Sequence, residues 1–282
     1  MTRLCILTPH PDYEENWRPS AEAFRALFGD DLDFRPWTDA GDLSAHALVL
    51  PLLVWGYQRR AADWYCALDA WEAAGIRFAN ALPLLRWNTD KDYLLDLAEK
   101  GVATVPTIES GALCTDDLAA ARAQFGSETL VIKPAISGGA DGTYRLAAHD
   151  PIPFDVLERE MLIQPMMASV ATEGEYSLFY FDGAFSHAIL KKPAAGDFRV
   201  QEQFGGHEVR VEPPALALAL AQAALAAAPL APLYARVDMV RDDADGGFRL
   251  MELEVIEPSL FLSFAADGGA LFAKTVLERA IS

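Results

Sequence analysis

The sequence predicts a mixed fold of helices and strands: a small α/β layer with a mainly parallel sheet, followed by further strands and helices that include β-hairpins. Three observations predict it. Short apolar strands alternate with helical segments up to Pro83. Beyond Pro83, Tyr176–Phe181 and Ala184–Leu190 are two apolar runs separated by Asp182-Gly183, a two-residue hairpin signal. Hydrophobic residues make up 52% of the 282, enough to build a sizeable core and too many for a disordered chain.

Taken in order, Leu4–Leu7 reads as a first strand, broken by Thr8-Pro9-His10-Pro11. Ser20–Phe28 has helical spacing, with Ala23, Phe24, Leu27 and Phe28 on one face and Ser20 as N-cap. Asp33–Trp37 and Ala47–Leu53 suit two more strands, Ala61–Ala74 a helix stopped by Gly75, and Ile76–Ala79 another strand. No GxGxxG follows the first strand, which argues against a dinucleotide site there. After Pro83, Asn88 is placed as the N-cap of a helix through Leu94, Leu95, Leu97 and Ala98. Lys91 then falls in the first turn, where a cation opposes the helix dipole and so points to another task. A strand and the helix Asp116–Phe125 lead to Leu130–Arg145, LVIKPAISGGADGTYR.

In that stretch a strand ends on Lys133, and Ser137, Gly138, Gly139, Gly142 and Thr143 follow. Exposed backbone N–H groups beside a fixed ammonium suit polyphosphate recognition, although a plain Gly-rich turn would look the same in isolation. Met161–Met167 is the next strand, then the hairpin Tyr176–Phe181 and Ala184–Leu190, then Lys191-Lys192-Pro193 and Phe198-Arg199-Val200. His187 either meets a substrate or is satisfied within its sheet. Ala215–Ala228, bounded by Pro214 and Pro229, reads as a buried Ala-rich helix, too short to span a membrane.

The last hairpin, Tyr234–Val240 with Phe248–Ile256, carries the densest chemistry. Alternation puts Arg236 and Asp238 on one face, and Glu252 with Glu254 on one face of the next strand. A turn centred on Asp245 sets Asp238 opposite Glu252. Three converging carboxylates repel unless cations hold them, and oxygen-only ligands suit Mg²⁺. Positions 241–252 imitate an EF-hand loop, but Arg241 stands at the first ligand position between strands, which rejects calcium.

Other classes fall away. There is no GxxxxGK[ST] and no HExxH, and the glycines follow Lys133, whereas a protein kinase places them before its strand lysine. A net charge of −18 repels nucleic acid and anionic membranes. Cys5, Cys66 and Cys114 are far apart with no CxxC, which fits a reducing compartment; with no signal-peptide core in Leu4–Leu7, the expected location is cytoplasmic.

Lys91, Lys133 with its Gly-rich loop, the QPMM strand end, Arg199, and then Asp238, Glu252 and Glu254 follow one another in an order that resembles the ATP-grasp superfamily over nearly the whole chain. RWNTDKDYLLDL, EGEYSLFYFDGAFSHAILKKP, GDFRVQEQFGG and YARVDMV…LMELEVIEPSLFL carry a likeness to its glutathione-synthetase-like branch. Within that branch they resemble the cyclo-ligases of cycloserine biosynthesis, which close a ring on O-ureido-serine.

The resemblance implies an ATP-grasp fold: an N-terminal Rossmann-like pre-ATP-grasp domain over residues 1–85, an α+β lobe with the Gly-rich loop over 86–163, and an α+β lobe with the metal hairpin over 164–282. It implies that Lys91, Lys133, Ser137, Gly138, Gly139 and Gly142 hold the phosphates of ATP. The backbone of Gln164, Met166 and Met167 would meet adenine, and Glu175 the ribose. Asp238, Glu252 and Glu254 would hold Mg²⁺, two ions by expectation, with Mn²⁺ as an alternative. Arg199, Arg236 and Lys192 (or Lys191) are the candidates to stabilise the transition state. The implied activity is ADP-forming ligation of a small, amino-acid-like carboxylate substrate to an amine through an acylphosphate, ring closure included. A phosphotransferase leaving a stable phosphorylated product, a nucleotide-binding protein without turnover, and a homo-oligomer all stay open. Ser177 stands where glutathione synthetases tend to carry an arginine, which argues against glutathione as product, and Glu254 replaces the common asparagine.

Overall fold

The computed structural model describes residues 3–29, 32–194, 199–200 and 205–282. These residues form three sheets. In the first, β1 (Leu4–Thr8) lies between β2 (Leu32–Pro36) and β3 (Leu48–Leu50), all parallel. Helices α1 (Arg18–Phe28) and α2 (Ala61–Ala73) accompany it. Two expectations change here. Pro19 lies in the first turn of α1, which starts before Ser20, so Ser20 does not cap it. Ile76–Ala79 forms only a bridge, Phe78 to Val49, because the chain turns at Asn80 to serve another sheet.

Helices α3 (Leu82–Thr89) and α4 (Tyr93–Glu99) follow. The second sheet is antiparallel. It runs β4 (Ile108–Ser110), then β7 (Met161–Pro165), β5 (Leu130–Pro134) and β6 (Tyr144–Leu146) side by side, backed by α5 (Thr115–Phe125). A short α6 (Ser169–Thr172) leads into the third sheet. Its strand order is β10 (His207–Arg210), β9 (Ala184–Lys192), β8 (Glu175–Phe181), β11 (Tyr234–Arg241) and β12 (Phe248–Glu254). Between β10 and β11 runs the Ala-rich α7 (Ala215–Ala227), and α8 (Ala270–Ile281) closes the chain. Asp182 and Gly183 both take positive φ, 48° and 77°, as the two-residue turn between β8 and β9 requires. No described helix is long and apolar enough to cross a membrane.

The five-stranded sheet positions the chemistry, and its two faces differ. Tyr176, Leu178, Tyr180, Ala188, Leu190, Ala235 and Val237 pack against α4 and α7 in one core. On the other face the strands are apolar at one end, where Phe179, Phe181, Ile189 and Tyr234 pack on the N-terminal unit. At the opposite end the same face carries Glu175, Ser177, Lys191, Asp238 and Glu252. Period-two alternation therefore builds a polar cleft and a buried domain contact from one strand set.

Strand β12 lies at the sheet edge and is covered rather than left open. Leu250 exchanges backbone bonds with Ala103 and Val105 at 2.8 and 2.9 Å. Leu253 N–H donates to the Tyr93 hydroxyl at 2.9 Å, and Asn88 donates to the Leu253 carbonyl at 2.7 Å while accepting from Val255 N–H at 3.1 Å. Asn88 is thus inside α3 and ties down the β11–β12 hairpin, which corrects its expected N-cap role. Lys91 consequently lies ahead of α4 in the turn between helices, so the dipole conflict expected of it does not arise.

Candidate active site

The cleft forms where the polar end of the five-stranded sheet meets the end of β5. The register sets Asp238 opposite Glu252 and Arg236 opposite Glu254, as a turn near Asp245 requires. One oxygen from each of Asp238, Glu252 and Glu254 lies within 4.8 Å of the others. The EF-hand imitation ends differently: Arg249 grips Asp242 at 2.9 Å and Asp245 at 2.5 Å, so those carboxylates stabilise the turn.

Every carboxylate of the cluster has a cation. Arg236 Nε donates to both oxygens of Asp238, at 3.0 and 2.9 Å, and its Nη2 donates to Glu254. Ser177 also donates to Asp238. Lys191 Nζ donates to Glu175 at 3.0 Å and lies 3.5 Å from Asp238. Lys91 donates to Glu252 from its side chain, and from its backbone N–H to the Ala135 carbonyl at 2.8 Å. Lys91 therefore joins the two sheets at the mouth of the cleft.

Lys133, at the end of β5, differs. It is 9% exposed, and its ammonium has no hydrogen bond or ion pair among the described residues. Burial, and then the charge of Lys91, push it down to about 8 against the pull of Glu252. For Lys91 burial acts downward too, but contact with Glu252 outweighs it and the group is raised. Burial likewise disfavours charge on Asp238, yet Arg236 and Lys191 hold it below the usual carboxylate range. Burial pushes Glu254 up to about 7 even with Arg236 beside it. The cleft is short of positive charge at that point, and three oxygen donors with that deficit fit a divalent cation of the Mg²⁺ type.

The Gly-rich loop makes two successive turns, Asp141 N–H to Gly138 and Thr143 N–H to Ala140, at 3.1 and 3.2 Å. Gly139, Ala140 and Gly142 have positive φ, and a Cβ on Gly142 would strike Pro134 at 2.9 Å. Ser137 is buried and donates to the Pro134 carbonyl at 3.1 Å. The loop leans on the N-terminal unit: Arg59 Nε lies 3.1 Å from Asp141, and Gly138 faces Gln58.

The remaining expected residues are placed as follows. Gln164 is buried and donates to Thr107 at 2.9 Å, and the Met166 N–H donates to the Thr129 carbonyl at 3.0 Å. Met167 packs against the small Val105–Val170–Val200–Val240 cluster. Arg199 is half-buried, while Phe198 beside it lies outside the described residues. Lys192 is a correction. It is exposed and follows Ala188 and Leu190 on the face away from the cleft, so strand alternation gives the cleft to Lys191. His187 is satisfied in the sheet: it stacks on Phe179 with centroids 4.2 Å apart and bonds the Leu260 carbonyl at 3.1 Å. Asn80, which sequence reasoning passed over, donates to the Tyr234 and Val255 carbonyls at 2.9 and 2.7 Å and steadies the root of the β11–β12 hairpin.

Two sheets closing on phosphate-type cations and a carboxylate triad define an ATP-grasp clamp, and comparison with known proteins agrees. The chain is 32% identical over 288 aligned residues, 93% of its own length and 92% of the relative's, to the cycloserine biosynthesis protein DcsG of Streptomyces lavendulae. The crystal structure of D-cycloserine synthetase DcsG superposes with a TM-score of 0.80 at 30% identity, covering 98% of this chain and 99% of that one. D-alanine–D-alanine ligase from Bacillus anthracis shares the fold, with a TM-score of 0.73 at 19% identity, covering 100% and 98%. The ATP-grasp ligase PsnB, complexed with its minimal precursor, does so at 0.66 and 16%, covering 99% of each chain. No family model matches the chain. The chain belongs to the ATP-grasp ligases, enzymes that use ATP with Mg²⁺ to form C–N bonds and release ADP.

Proposed function

We propose that the protein ligates the carboxylate of a small amino-acid-like substrate to a nitrogen nucleophile, and that ring closure within one substrate molecule is the form this takes. The observation that carries this reading is the convergence of Asp238, Glu252 and Glu254 within 4.8 Å beside Lys91 and Arg236. The full-length identity to DcsG supports ring closure over a two-substrate ligation.

Lys91, Lys133, Ser137, Gly138, Gly139 and Gly142 would hold the phosphates, Gln164–Met167 the adenine and Glu175 the ribose. Mg²⁺ on the carboxylate triad, as two ions or with Mn²⁺ in their place, would neutralise the phosphate oxygens. The substrate carboxylate attacks the γ-phosphorus, the bond to ADP breaks, and the nitrogen then displaces phosphate from the acylphosphate. Arg236 is fixed by two carboxylates at the cleft floor and is preorganised to stabilise the charge that develops on the acyl oxygen. Lys191 and Arg199 assist it. The three domains divide near residues 85 and 163, and three free cysteines support a cytoplasmic setting.

Phosphate release measured across amino acids and hydroxy acids, with both enantiomers of O-ureido-serine included, tests the reading. ATP-dependent phosphate release with a cyclised product is expected. ATP consumption that yields a phosphorylated product without phosphate would replace the ligase with a phosphotransferase.

A further inference from the structure

Strand β12 changes phase partway along. Phe248 and Leu250, early in the strand, and Leu253 and Val255, at and just past its end, all pack into the core shared with α4 and α7. Side chains on one face of a strand are two residues apart. An unbroken strand that sent Phe248 and Leu250 into that core would therefore send Glu252 and Glu254 in after them. The pairing with β11 shows why it does not: Met239 stands opposite Leu250, while Asp238 stands opposite Glu252. Met251 is the extra residue of a β-bulge, and the bulge turns the carboxylates that follow it out of the core and into the cleft.

Beyond the bulge only Glu252, Leu253 and Glu254 pair with β11, and β12 lies at the sheet edge. A slip of one residue there would exchange the two faces again. The peptide groups that β11 does not take are held by the turn between α3 and α4. Leu253 N–H donates to the Tyr93 hydroxyl at 2.9 Å, and the Asn88 amide bonds the Leu253 carbonyl at 2.7 Å and Val255 N–H at 3.1 Å. These bonds act on the backbone at Leu253, between Glu252 and Glu254, and at Val255, next to Glu254. All three would break on a one-residue slip. Both side chains are themselves fixed: Asn88 is 7% and Tyr93 1% exposed, and the Tyr93 ring packs on Trp87 with centroids 5.1 Å apart. On the other side of Met251, Leu250 is bound by Ala103 and Val105, so the strand is gripped both before and after the bulge.

Resting on the metal reading above, we propose that Asn88 and Tyr93 are positioning residues of the metal site. They lock the inverted phase of β12 beyond the bulge at Met251, so that Glu252 and Glu254 present their oxygens beside Asp238. They act through the backbone between and beside the two carboxylates and not by ligation.

The full-length protein, with a non-hydrolysable ATP analogue, is titrated with Mn²⁺ and the free ion is read by electron paramagnetic resonance; urea unfolding is followed in parallel. Asn88→Ala should weaken Mn²⁺ binding about tenfold to a hundredfold, the range for residues that orient metal ligands. Tyr93→Phe keeps the ring and loses only the hydroxyl, and should weaken it about twofold to tenfold, as for one hydrogen bond. Thr89→Val is the comparison. Thr89 is the next residue of α3, is also buried, and accepts a bond from Trp64 at 2.9 Å instead of holding β12. Its loss should lower the unfolding midpoint and leave Mn²⁺ affinity at the wild-type value. Wild-type affinity in both Asn88→Ala and Tyr93→Phe overturns the proposal, as does an equal weakening in Thr89→Val, which would trace the effect to general loosening. Should Asn88→Ala fail to fold, Tyr93→Phe against Thr89→Val decides. A wild-type protein that adds nothing to the Mn²⁺ binding of the analogue alone overturns the metal reading and this proposal with it, whereas tight binding that the two variants leave untouched removes only the role of the turn.

Discussion

The two walls of the cleft carry their cations in opposite ways. On the five-stranded sheet Arg236 and Lys191 are held by Asp238, Glu254 and Glu175, and Lys91 at the rim is held by Glu252. On the four-stranded sheet Lys133 has no ion pair among the described residues, although the charges of Glu252 and Glu175 reach it. The first wall is an ion-pair lattice in which every cation has a carboxylate partner, and the second carries a buried charge with none among the described residues. On the function proposed above, a residue in the lattice would serve stability and the site together, whereas Lys133 would serve the site at the expense of stability.

The largest effect is expected from Arg236→Met. It leaves Asp238 and Glu254 without their main cation, and removing one partner of a buried pair costs about 3–5 kcal/mol. Turnover should fall by at least about a hundredfold, as when a charge-stabilising donor is removed. Urea unfolding and steady-state rates measure the two losses. An unchanged unfolding midpoint would show that the lattice does not support the fold. Next comes Glu252→Gln, which keeps an acceptor for Lys91 but removes a charge from the triad. Mg²⁺-dependent turnover should drop by about the same factor, while stability falls by only about 1–3 kcal/mol. Activity retained at low Mg²⁺ would count against its metal role.

Lys133→Met should break the symmetry. Nucleotide affinity is expected to fall at least about tenfold, as for one charge-assisted contact, yet the ligand-free protein should be as stable as wild type or more so. The pH dependence has a definite sign. The folded pKa, about 8, lies below the unfolded value, so between them the unfolded chain binds more protons and wild-type stability rises with pH. The whole gain is no more than a few kcal/mol, and the contribution of Lys133 to it should vanish in the variant. Denaturant midpoints from pH 7.5 to 10 (the upper end near the lysine reference value) measure it. A variant less stable than wild type throughout would mean that Lys133 is paired after all.

The contrast also separates what the sequence could reveal from what it could not. Asp238 opposite Glu252, and the Asp182-Gly183 turn, follow from strand alternation and turn chemistry, which are local rules. Asn88 looked like an N-cap because such residues usually are, but its side chain satisfies Leu253, 165 positions away. The choice of Lys191 over Lys192 depended on the phase of β9, which a run of two lysines at a strand end leaves ambiguous. Whether a lysine is paired depends on the neighbouring sheet, so the difference between Lys91 and Lys133 was beyond any local pattern.

The smallest effect bears on how the open wall closes. The Gly-rich loop is tied to the N-terminal unit by Arg59 and Asp141, whose side chains are 55% and 52% exposed. An exposed pair contributes about 0–1 kcal/mol and is screened by salt. Arg59→Ala should therefore leave the unfolding midpoint within error and weaken nucleotide binding only about two- to fivefold, consistent with that range. The weakening should be seen at low ionic strength and disappear near 0.5 M salt, where the Debye length is only a few ångströms. Asp141→Ala should behave the same way, and the double variant should be no worse than either single one. Additive losses would mean that the two residues act on the nucleotide separately, and that the loop is held by its own turns alone. Non-additivity would show that the N-terminal unit helps to position the Gly-rich loop, joining the open wall to that unit.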